Sequence, residues 1–221
     1  MKLVYKNMGH ILDFNEGCVN ELVIENKKMF FDMVSSMAMQ VDGLHGGCVL
    51  SIADKPVEFS KYVDMTVQFV PFQVNRKSLL TKLYAALEKK ALNLENYIKT
   101  RELLGELEKY VFLLSEELPF EINCQKLAIG PIIRALSPEI EENGKNAIEN
   151  IFAYMELVRE LDRDKLFIMV NMRSYFSDEE MEIFTESVCL HDFKALLLEV
   201  SAFPKLKRTK RFMIDADLCE F

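Results

Sequence analysis

Two continuous apolar runs, separated by a capped helix, constrain the fold of this chain most strongly. KLFIMVNM spans residues 165–172, and FKALLLEV spans residues 193–200. Apolar runs of this length without polar alternation predict strands buried on both faces, as in parallel sheets. Between them, Ser177-Asp-Glu-Glu180 opens an amphipathic stretch as a capping box. Strand, helix and strand at this spacing predict a parallel βαβ unit with a right-handed crossover.

Shorter segments in the first third of the chain add further strands. ELVIE, at residues 21–25, is rich in β-branched residues, and apolar residues then recur at helical spacing from Met29 to Met37. GCVLSIADKPVEFS alternates around an Asp-Lys-Pro break, which predicts a hairpin. MTVQFVPF predicts another strand, with Asn75 as the N-cap of the helix that follows. We expect ELVIE to join the parallel sheet.

The middle of the chain changes to a helical period. Leucines from Leu79 to Leu87 mark one helix, and apolar residues from Leu94 to Leu114 mark a second that Pro119 ends. A turn near Asn93 would make the two an αα-hairpin. Residues 125–136 predict a third helix, interrupted or bent at Gly130-Pro131. Residues 146–161 are amphipathic again.

These patterns together predict an α/β fold. It consists of a three-layer head with a mostly parallel sheet and an inserted all-α leg. We place the first part of the head at residues 1–74, the leg at 75–138 and the second part of the head at 139–221.

Composition limits the classes of function. The net charge of −8 argues against an indiscriminate nucleic-acid coat, although it leaves room for one basic face. The cysteines are odd in number and far apart, which favours reduced thiols in a cytoplasm. No apolar run approaches the roughly 20 residues of a membrane helix, and the start has no h-region, so we expect neither a membrane span nor a signal peptide. The five cysteines are Cys18, Cys48, Cys124, Cys189 and Cys219.

Motifs for nucleotide or metal chemistry are incomplete. The phosphate-loop pattern G-x-x-x-x-G-K-[ST] and the pattern G-x-G-x-x-G are both absent, and the Gly-Lys pair at 144–145 is better explained as a helix start. His45 and Cys48 form one pair at ligand spacing, whereas zinc sites usually repeat such pairs. Cys189 and His191 have no recognisable catalytic context. An enzyme is therefore disfavoured.

An acidic loop is a candidate binding site for a metal other than zinc. Glu116, Glu117 and Glu121 lie on either side of Pro119 after the long helix. Carboxylates on one short loop can bind calcium, which takes flexible oxygen-rich coordination. A solvated acidic turn explains the same residues, and the sequence leaves both explanations open.

Basic residues gather at two places. Lys27 and Lys28 follow ELVIE directly at the start of a helix. The segment KLKRTKR near residue 205, with Lys205, Lys207 and Arg208 among its cations, is the densest positive run. This run can neutralise several phosphates, or it can protect a sheet edge from strand pairing. Both explanations remain open on the residues alone.

The order of these segments resembles the type II-A CRISPR adaptation (spacer acquisition) proteins of the Csn2 family. The family signals L-V-I-E-N and V-N-x-x-S-Y-[FL]-[ST]-x-E-E correspond here to Leu22–Asn26 and Val170–Glu180. The helix-opening segment MTVQFVPFQVNRKSLLTKLYAALEKKAL and the strand FKALLLEV take the positions that the family gives them. The similarity extends over nearly the whole chain.

The resemblance implies a non-catalytic cytoplasmic protein that forms a homotetrameric ring around double-stranded DNA and prefers DNA ends. In such a ring, lysines face the central hole and calcium supports the assembly. The protein would assist acquisition of new spacers with other adaptation proteins, namely an integrase and the effector nuclease. The head would be a degenerate relative of P-loop NTPase sheets, which agrees with the missing phosphate loop.

Particular residues carry over to these roles. Lys27 and Lys28 match basic or polar positions after V-I-E-N, and Arg134 matches a basic position, since relatives have F-K-A-L where this chain has I-R-A-L. Glu116, Glu117 and Glu121 fall where relatives have a denser acidic loop, here diluted by Pro119, Phe120 and Ile122. The cluster with Lys205, Lys207 and Arg208 exceeds what the family has at that place, so we include it as an additional surface that contacts DNA or a partner.

Two other classes of function compete with a DNA clamp. A divergent ATPase would use the same sheet, but it needs the phosphate loop that this sequence lacks. A protein–protein adaptor would dock other adaptation proteins through the helical leg, and this role is compatible with DNA binding.

Overall fold

The computed structural model describes most of the chain and divides it into two compact units. Unit 1 comprises Met1–Val74 and Glu142–Phe221, and unit 2 comprises Asn75–Glu141. None of the described helices is long and apolar enough to cross a membrane. The described residues are 1–6, 8–15, 19–116, 118–120, 122–123, 125–141 and 146–221.

The elements of unit 1 alternate along the chain, and unit 2 is helical. The strands are β1 (Lys2–Tyr5), β2 (Leu12–Asp13), β3 (Val19–Ile24), β4 (Cys48–Ile52), β5 (Lys55–Val57), β6 (Val63–Thr66), β7 (Leu166–Val170), β8 (Lys194–Glu199) and β9 (Thr209–Ile214). The α-helices are α1 (Lys27–Val41), α2 (Phe59–Tyr62), α3 (Lys77–Ala91), α4 (Tyr97–Ser115), α5 (Ile129–Leu136), α6 (Ala147–Leu161) and α7 (Asp178–Leu190).

A five-stranded parallel sheet forms the centre of unit 1. Its strand order is β6-β7-β8-β3-β9, and every neighbouring pair is parallel. All residues of β3 and β7 are buried, as their apolar runs predict. The predicted parallel β7-α7-β8 unit and the place of ELVIE in this sheet are confirmed. Ser177 and Glu180 form the predicted capping box at the start of α7.

One face of this sheet packs on the main hydrophobic core. Successive side chains of a strand point to opposite faces, so Leu22 and Ile24 lie on the same side of β3. They join Met33 and Met37 of α1 and Leu50 of β4 in one buried cluster. Burial of side chains of this size contributes roughly 1.5–3 kcal/mol each. This packing fixes the direction in which α1 leaves β3.

A second, antiparallel sheet has the order β2-β1-β4-β5. The predicted hairpin is β4 with β5, and Leu50 pairs with Val57. Its turn lies at Ala53-Asp54, where both residues have positive φ, as a type I′ hairpin turn requires. Strands β1 and β2 were not predicted from the sequence.

Two predicted details of the helices are wrong. Asn75 does not cap α3; Arg76 occupies the N-cap position, and the Asn75 side chain instead bonds both the N–H and the C=O of Ile140, at 2.8 and 3.0 Å. The third helix of the leg is neither interrupted nor bent at Gly130-Pro131, because α5 begins only at Ile129 and this pair lies in its first turn. Proline is tolerated there, since the first-turn amides have no helical acceptor.

Candidate nucleic-acid interface

Lys27 and Lys28 are presented at the carboxyl edge of the parallel sheet. Only Glu25 and Asn26 separate the end of β3 from these first residues of α1. Asn26 caps the helix, because its side-chain oxygen accepts from the Met29 amide at 3.0 Å. Its side-chain nitrogen donates to the Ala216 carbonyl at 2.9 Å, which ties the helix start to the segment after β9. The backbone beneath the two lysines is therefore fixed from both sides.

Both lysine side chains are exposed, and neither has an ion-pair partner among the described residues. Lys28 borders a cavity of about 450 Å³ that Asp32 and Glu220 also line. Two cations at a helix N-terminus oppose the helix dipole, so nothing in the local helix energetics favours them. An anionic ligand would be attracted by the ammonium groups and by the helix end together.

The same junction cannot hold a nucleotide in the manner of a phosphate loop. Such a loop places several backbone amides around the phosphates between a strand and a helix. Here the connection has two residues, and the Asn26 side chain already occupies the Met29 amide. The other Gly-Lys pair, at residues 144–145, lies outside the described residues.

The second basic cluster lies at the other end of the sheet. Lys205, Lys207 and Arg208 are exposed on the segment that joins β8 to β9. Because β9 is parallel to β3 and Thr209 pairs with Val19, Lys207 and Arg208 lie at the amino edge. The six-residue strand β3 spans about 20 Å. The structure therefore separates Lys207 and Arg208 from Lys27 and Lys28.

Two further cations of KLKRTKR are engaged within the protein. Arg211 donates from Nε to the Glu21 carboxylate at 2.8 Å. The Lys210 ammonium lies 5.5 Å from the centre of the Phe212 ring. Both belong to β9, which is an edge strand of the parallel sheet. The position of both residues on an edge strand agrees with one of the two explanations given for KLKRTKR, namely that its charges protect a sheet edge from strand pairing.

A buried ionic network underlies β9 and was not anticipated. Glu21, fully buried in the middle of β3, accepts from Arg173 at 2.7 Å as well as from Arg211. Arg173 follows β7 and also donates to Asp178 and to the Pro204 carbonyl, at 2.7 and 2.8 Å. These bonds hold the segment that carries Lys205 against the sheet.

Glu199 ends β8 beside this network and is fully buried. One carboxylate oxygen accepts from the Arg173 amide at 3.1 Å, and the other has no partner among the described residues. Burial, which disfavours the charged form, raises the pKa of Glu199 to about 7. The hydrogen bond from Arg173 acts in the opposite direction but is the weaker influence.

Arg134 and the acidic loop belong to unit 2. Arg134 is exposed on α5, and its side chain has no described partner. Glu116 is exposed at the C-terminal end of α4, whereas Glu117 and Glu121 lie outside the described residues. The described residues therefore include only one of the three candidate calcium ligands. No group of three or more His, Cys, Asp or Glu among the described residues could hold a metal.

The remaining polar pairs do not form a catalytic centre. Cys48 is buried, which raises the pKa of its thiol to about 12, so it is a poor nucleophile or metal ligand. The ring of His191 bonds the Ser187 carbonyl at 2.9 Å and packs edge-on against Phe152. These contacts are structural.

Comparison with known proteins gives three findings. The family model described as "CRISPR-associated protein (Cas_Csn2)" matches residues 40–218. The CRISPR-associated protein Csn2 of Enterococcus faecalis is 23% identical over 147 residues, which cover 66% of this chain and 65%, just under two thirds, of the relative. The fold is similar to the crystal structure of Stu0660 of Streptococcus thermophilus, with a TM-score of 0.61 and 14% identity over 90% of this chain and 68% of that one. Lys27 and Lys28 precede the residues matched by the family model.

Proposed function

The chain belongs to the Csn2 family of CRISPR-associated proteins, and from this premise we propose that it binds double-stranded DNA, preferring ends, to assist spacer acquisition. The observation that carries the proposal is the exposed pair Lys27–Lys28, which a capped helix fixes at the carboxyl edge of the parallel sheet. In open parallel sheets this edge is where ligands bind. The pair has no cradle for a nucleotide, so a polymeric phosphate backbone suits it better than a mononucleotide.

Binding of this kind requires no catalysis. Contacts to phosphates position a protein on the duplex and are independent of sequence. The head would be a degenerate member of the P-loop NTPase sheets, in which a two-residue connection replaces the phosphate loop. A working ATPase is disfavoured for the same reason, and calorimetric titration with ATP should give no binding heat.

A ring explains how an acidic chain can bind DNA. With a net charge of −8, a lone subunit would repel a polyanion except at a local basic surface. Four subunits arranged around a passage would gather their Lys27 and Lys28 side chains on the inside and direct the negative excess outward. Arg134, Lys205, Lys207 and Arg208, all exposed, are further candidates for phosphate contacts.

Calcium is a separate part of the proposal. Glu116, Glu117 and Glu121 are the residues that would hold the ion, with backbone oxygens or water completing its shell. The ion would neutralise these carboxylates and stiffen the loop after α4. This loop has fewer carboxylates than the resemblance leads us to expect, so we expect weak binding that depends on all three side chains.

Adaptation proteins are the proposed partners beyond DNA. An integrase and the effector nuclease would meet the DNA-bound protein during acquisition. The exposed apolar residues of unit 2 favour a docking role alongside DNA binding, because exposed apolar patches mark interaction surfaces.

Reversal of the lysine pair tests the proposed interface. Lys27→Glu with Lys28→Glu should weaken binding to a linear duplex at least tenfold, about 1.4 kcal/mol, because phosphate contacts are replaced by repulsion. The matched control is Lys55→Glu with Lys126→Glu, which makes the same charge change at two other exposed lysines. Fluorescence anisotropy measures both. Equal affinities for the two double variants would remove Lys27 and Lys28 from the site.

A further inference from the structure

The cavity of about 450 Å³ beside Lys28 has no part in the roles proposed above. It lies between α1, β1 and the segment after β9, and its lining includes Lys28, Asp32, Tyr5, Leu218 and Glu220. Pockets that bind small organic groups usually have volumes of roughly 300–1,000 Å³. The cavity is therefore large enough for one nucleoside, whereas a stretch of duplex would have to remain outside it.

The Tyr5 hydroxyl is an unused hydrogen-bonding group at this cavity. Tyr5 is only 2% exposed, and its hydroxyl has no hydrogen-bond partner among the described residues. The oxygen is nevertheless accessible, because the fully enclosed side-chain atoms without a partner in the described part of the chain are Asn20 Oδ1, Arg173 Nε and Glu199 Oε2. Buried hydroxyls normally have a partner. A ligand in the cavity would supply the missing one.

Asp32 is the free hydrogen-bond acceptor of the cavity. Its side chain is exposed and has no partner among the described residues. It lies near Tyr5, since burial raises the pKa of the Tyr5 hydroxyl and the charge of Asp32 adds to this effect. The other carboxylate, Glu220, already accepts from the Gly9 amide and contacts the His10 ring, at 2.8 and 2.5 Å. Asp32 is therefore free to accept from a ligand, as carboxylates accept from the amino group of cytosine.

The walls of the cavity are apolar and held in place. Met29, Ile214 and Leu218 line it, and Leu218 is 55% exposed although it is apolar. Two hydrogen bonds between the backbones of Met213 and Phe221, at 2.9 and 3.2 Å, fix the segment with Leu218 beside β9. Proteins that hold an unstacked base contact its faces with apolar or aromatic side chains and its edge with hydrogen bonds. The cavity offers both kinds of contact.

We propose that this cavity receives the base of an unpaired nucleotide at a DNA end. The inference rests on the proposed function, because the phosphates next to this nucleotide remain with Lys27 and Lys28 at the start of α1. The base enters between the apolar walls, and its exocyclic amino group donates to Asp32. The Tyr5 hydroxyl, which can donate or accept, bonds a second polar atom of the base edge.

Such a site recognises ends by chemistry and not by threading alone. A base inside a duplex must first be unpaired and unstacked, which costs free energy, whereas an overhanging base is already free. Contacts to the phosphates alone cannot make this distinction, since they are the same along the whole duplex. A free mononucleotide lacks the neighbouring phosphates that Lys27 and Lys28 would bind, so a strand end is the better ligand.

Fluorescence anisotropy of the full chain with a duplex closed by a hairpin loop at one end tests this site. The open end carries one unpaired nucleotide, which is adenine, purine without the amino group, or an abasic sugar. All three overhangs have the same phosphates, so their relative affinities depend on the base alone. Wild type should bind the adenine overhang more tightly than the purine overhang by about three- to tenfold, the effect of one hydrogen bond, and should bind the abasic overhang most weakly.

Two variants connect this preference to the cavity. Tyr5→Phe removes only a hydroxyl without a partner, and Asp32→Ala removes the acceptor. Both should lose most of the preference for adenine over the abasic overhang and still bind the abasic probe at least as well as wild type. The matched controls are Tyr175→Phe and Asp42→Ala, which change an exposed hydroxyl and an exposed carboxylate outside the cavity and should keep the wild-type preference.

The outcomes separate this site from DNA binding in general. Equal affinity of wild type for the adenine, purine and abasic overhangs would overturn the base site and leave binding to the phosphate backbone intact. A preference for adenine that persists in both Tyr5→Phe and Asp32→Ala would overturn the site as well. Absence of binding to all three probes would overturn the proposed function itself.

Discussion

Replacing Glu199 by glutamine should change how the stability of unit 1 depends on pH. The Glu199 side chain is fully buried, and one of its oxygens has no partner among the described residues. Its pKa is raised from 4.5 to about 7 by burial. The folded protein therefore keeps this carboxyl protonated over a pH range in which the unfolded chain has already lost the proton.

The sign and size of the effect follow from linkage. Well below pH 4.5 both states are protonated, and the stabilising contribution is fully present. As pH rises from 4.5 to about 7, the unfolded state binds fewer protons than the folded state, so the free energy of unfolding falls by up to 1.36 kcal/mol per pH unit. The difference of about 2.5 units gives a loss of about 3 kcal/mol, which is complete above pH 7.

Urea denaturation of the wild type and of Glu199→Gln at pH 4.5, 6 and 8 measures this loss. The difference in unfolding free energy between the two proteins should shift by about 3 kcal/mol across the range, in favour of the glutamine variant at high pH. Glu186→Gln, which removes an exposed carboxylate of α7, is the control and should follow the wild type. Parallel curves for the wild type and Glu199→Gln would refute the assignment of a protonated buried carboxyl.

Three further predictions concern the network, the helix cap and the salt dependence of binding. Arg173→Met leaves Glu21 buried with Arg211 alone and should cost about 3–5 kcal/mol in urea denaturation; a loss below 1 kcal/mol would contradict this. Asn26→Ala removes the α1 cap and should cost about 1 kcal/mol in thermal unfolding, whereas an unchanged melting temperature would show that the cap is dispensable. For DNA, a plot of log affinity against log salt should be less steep for the Lys27–Lys28 reversal, by about 0.9 for each phosphate that the variant no longer neutralises; an identical slope would contradict direct phosphate binding by these lysines.

The centre of the fold could be predicted from the sequence because its signals are local. Strands β3, β7 and β8 are continuous apolar runs, and α7 carries its own cap. Strand β9 was missed, since its first residues, TKR, are polar and it is stabilised by pairing with β3. Its burial depends on a partner strand about 190 residues away in the sequence, which no local pattern contains.

Part of the candidate site could be predicted as well, because its sequence signal is local. The sequence places Lys27 and Lys28 at a helix start, and the structure presents them there on an exposed surface. The role of Glu21 was not predicted, because its compensating arginines lie 152 and 190 residues further along the chain. A buried acid inside an apolar run is itself a signal, since a charge is rarely buried without a partner.

The most direct test compares linear and covalently closed duplexes of the same sequence and length. A protein that encloses DNA and loads at its ends should bind the linear form strongly, and should dissociate from it more slowly when bulky groups block both ends after loading. Closed circles should bind at least tenfold more weakly in an electrophoretic mobility assay at about 0.15 M salt, where exposed surface contacts are largely screened. Equal affinity for the two forms would contradict enclosure of the duplex.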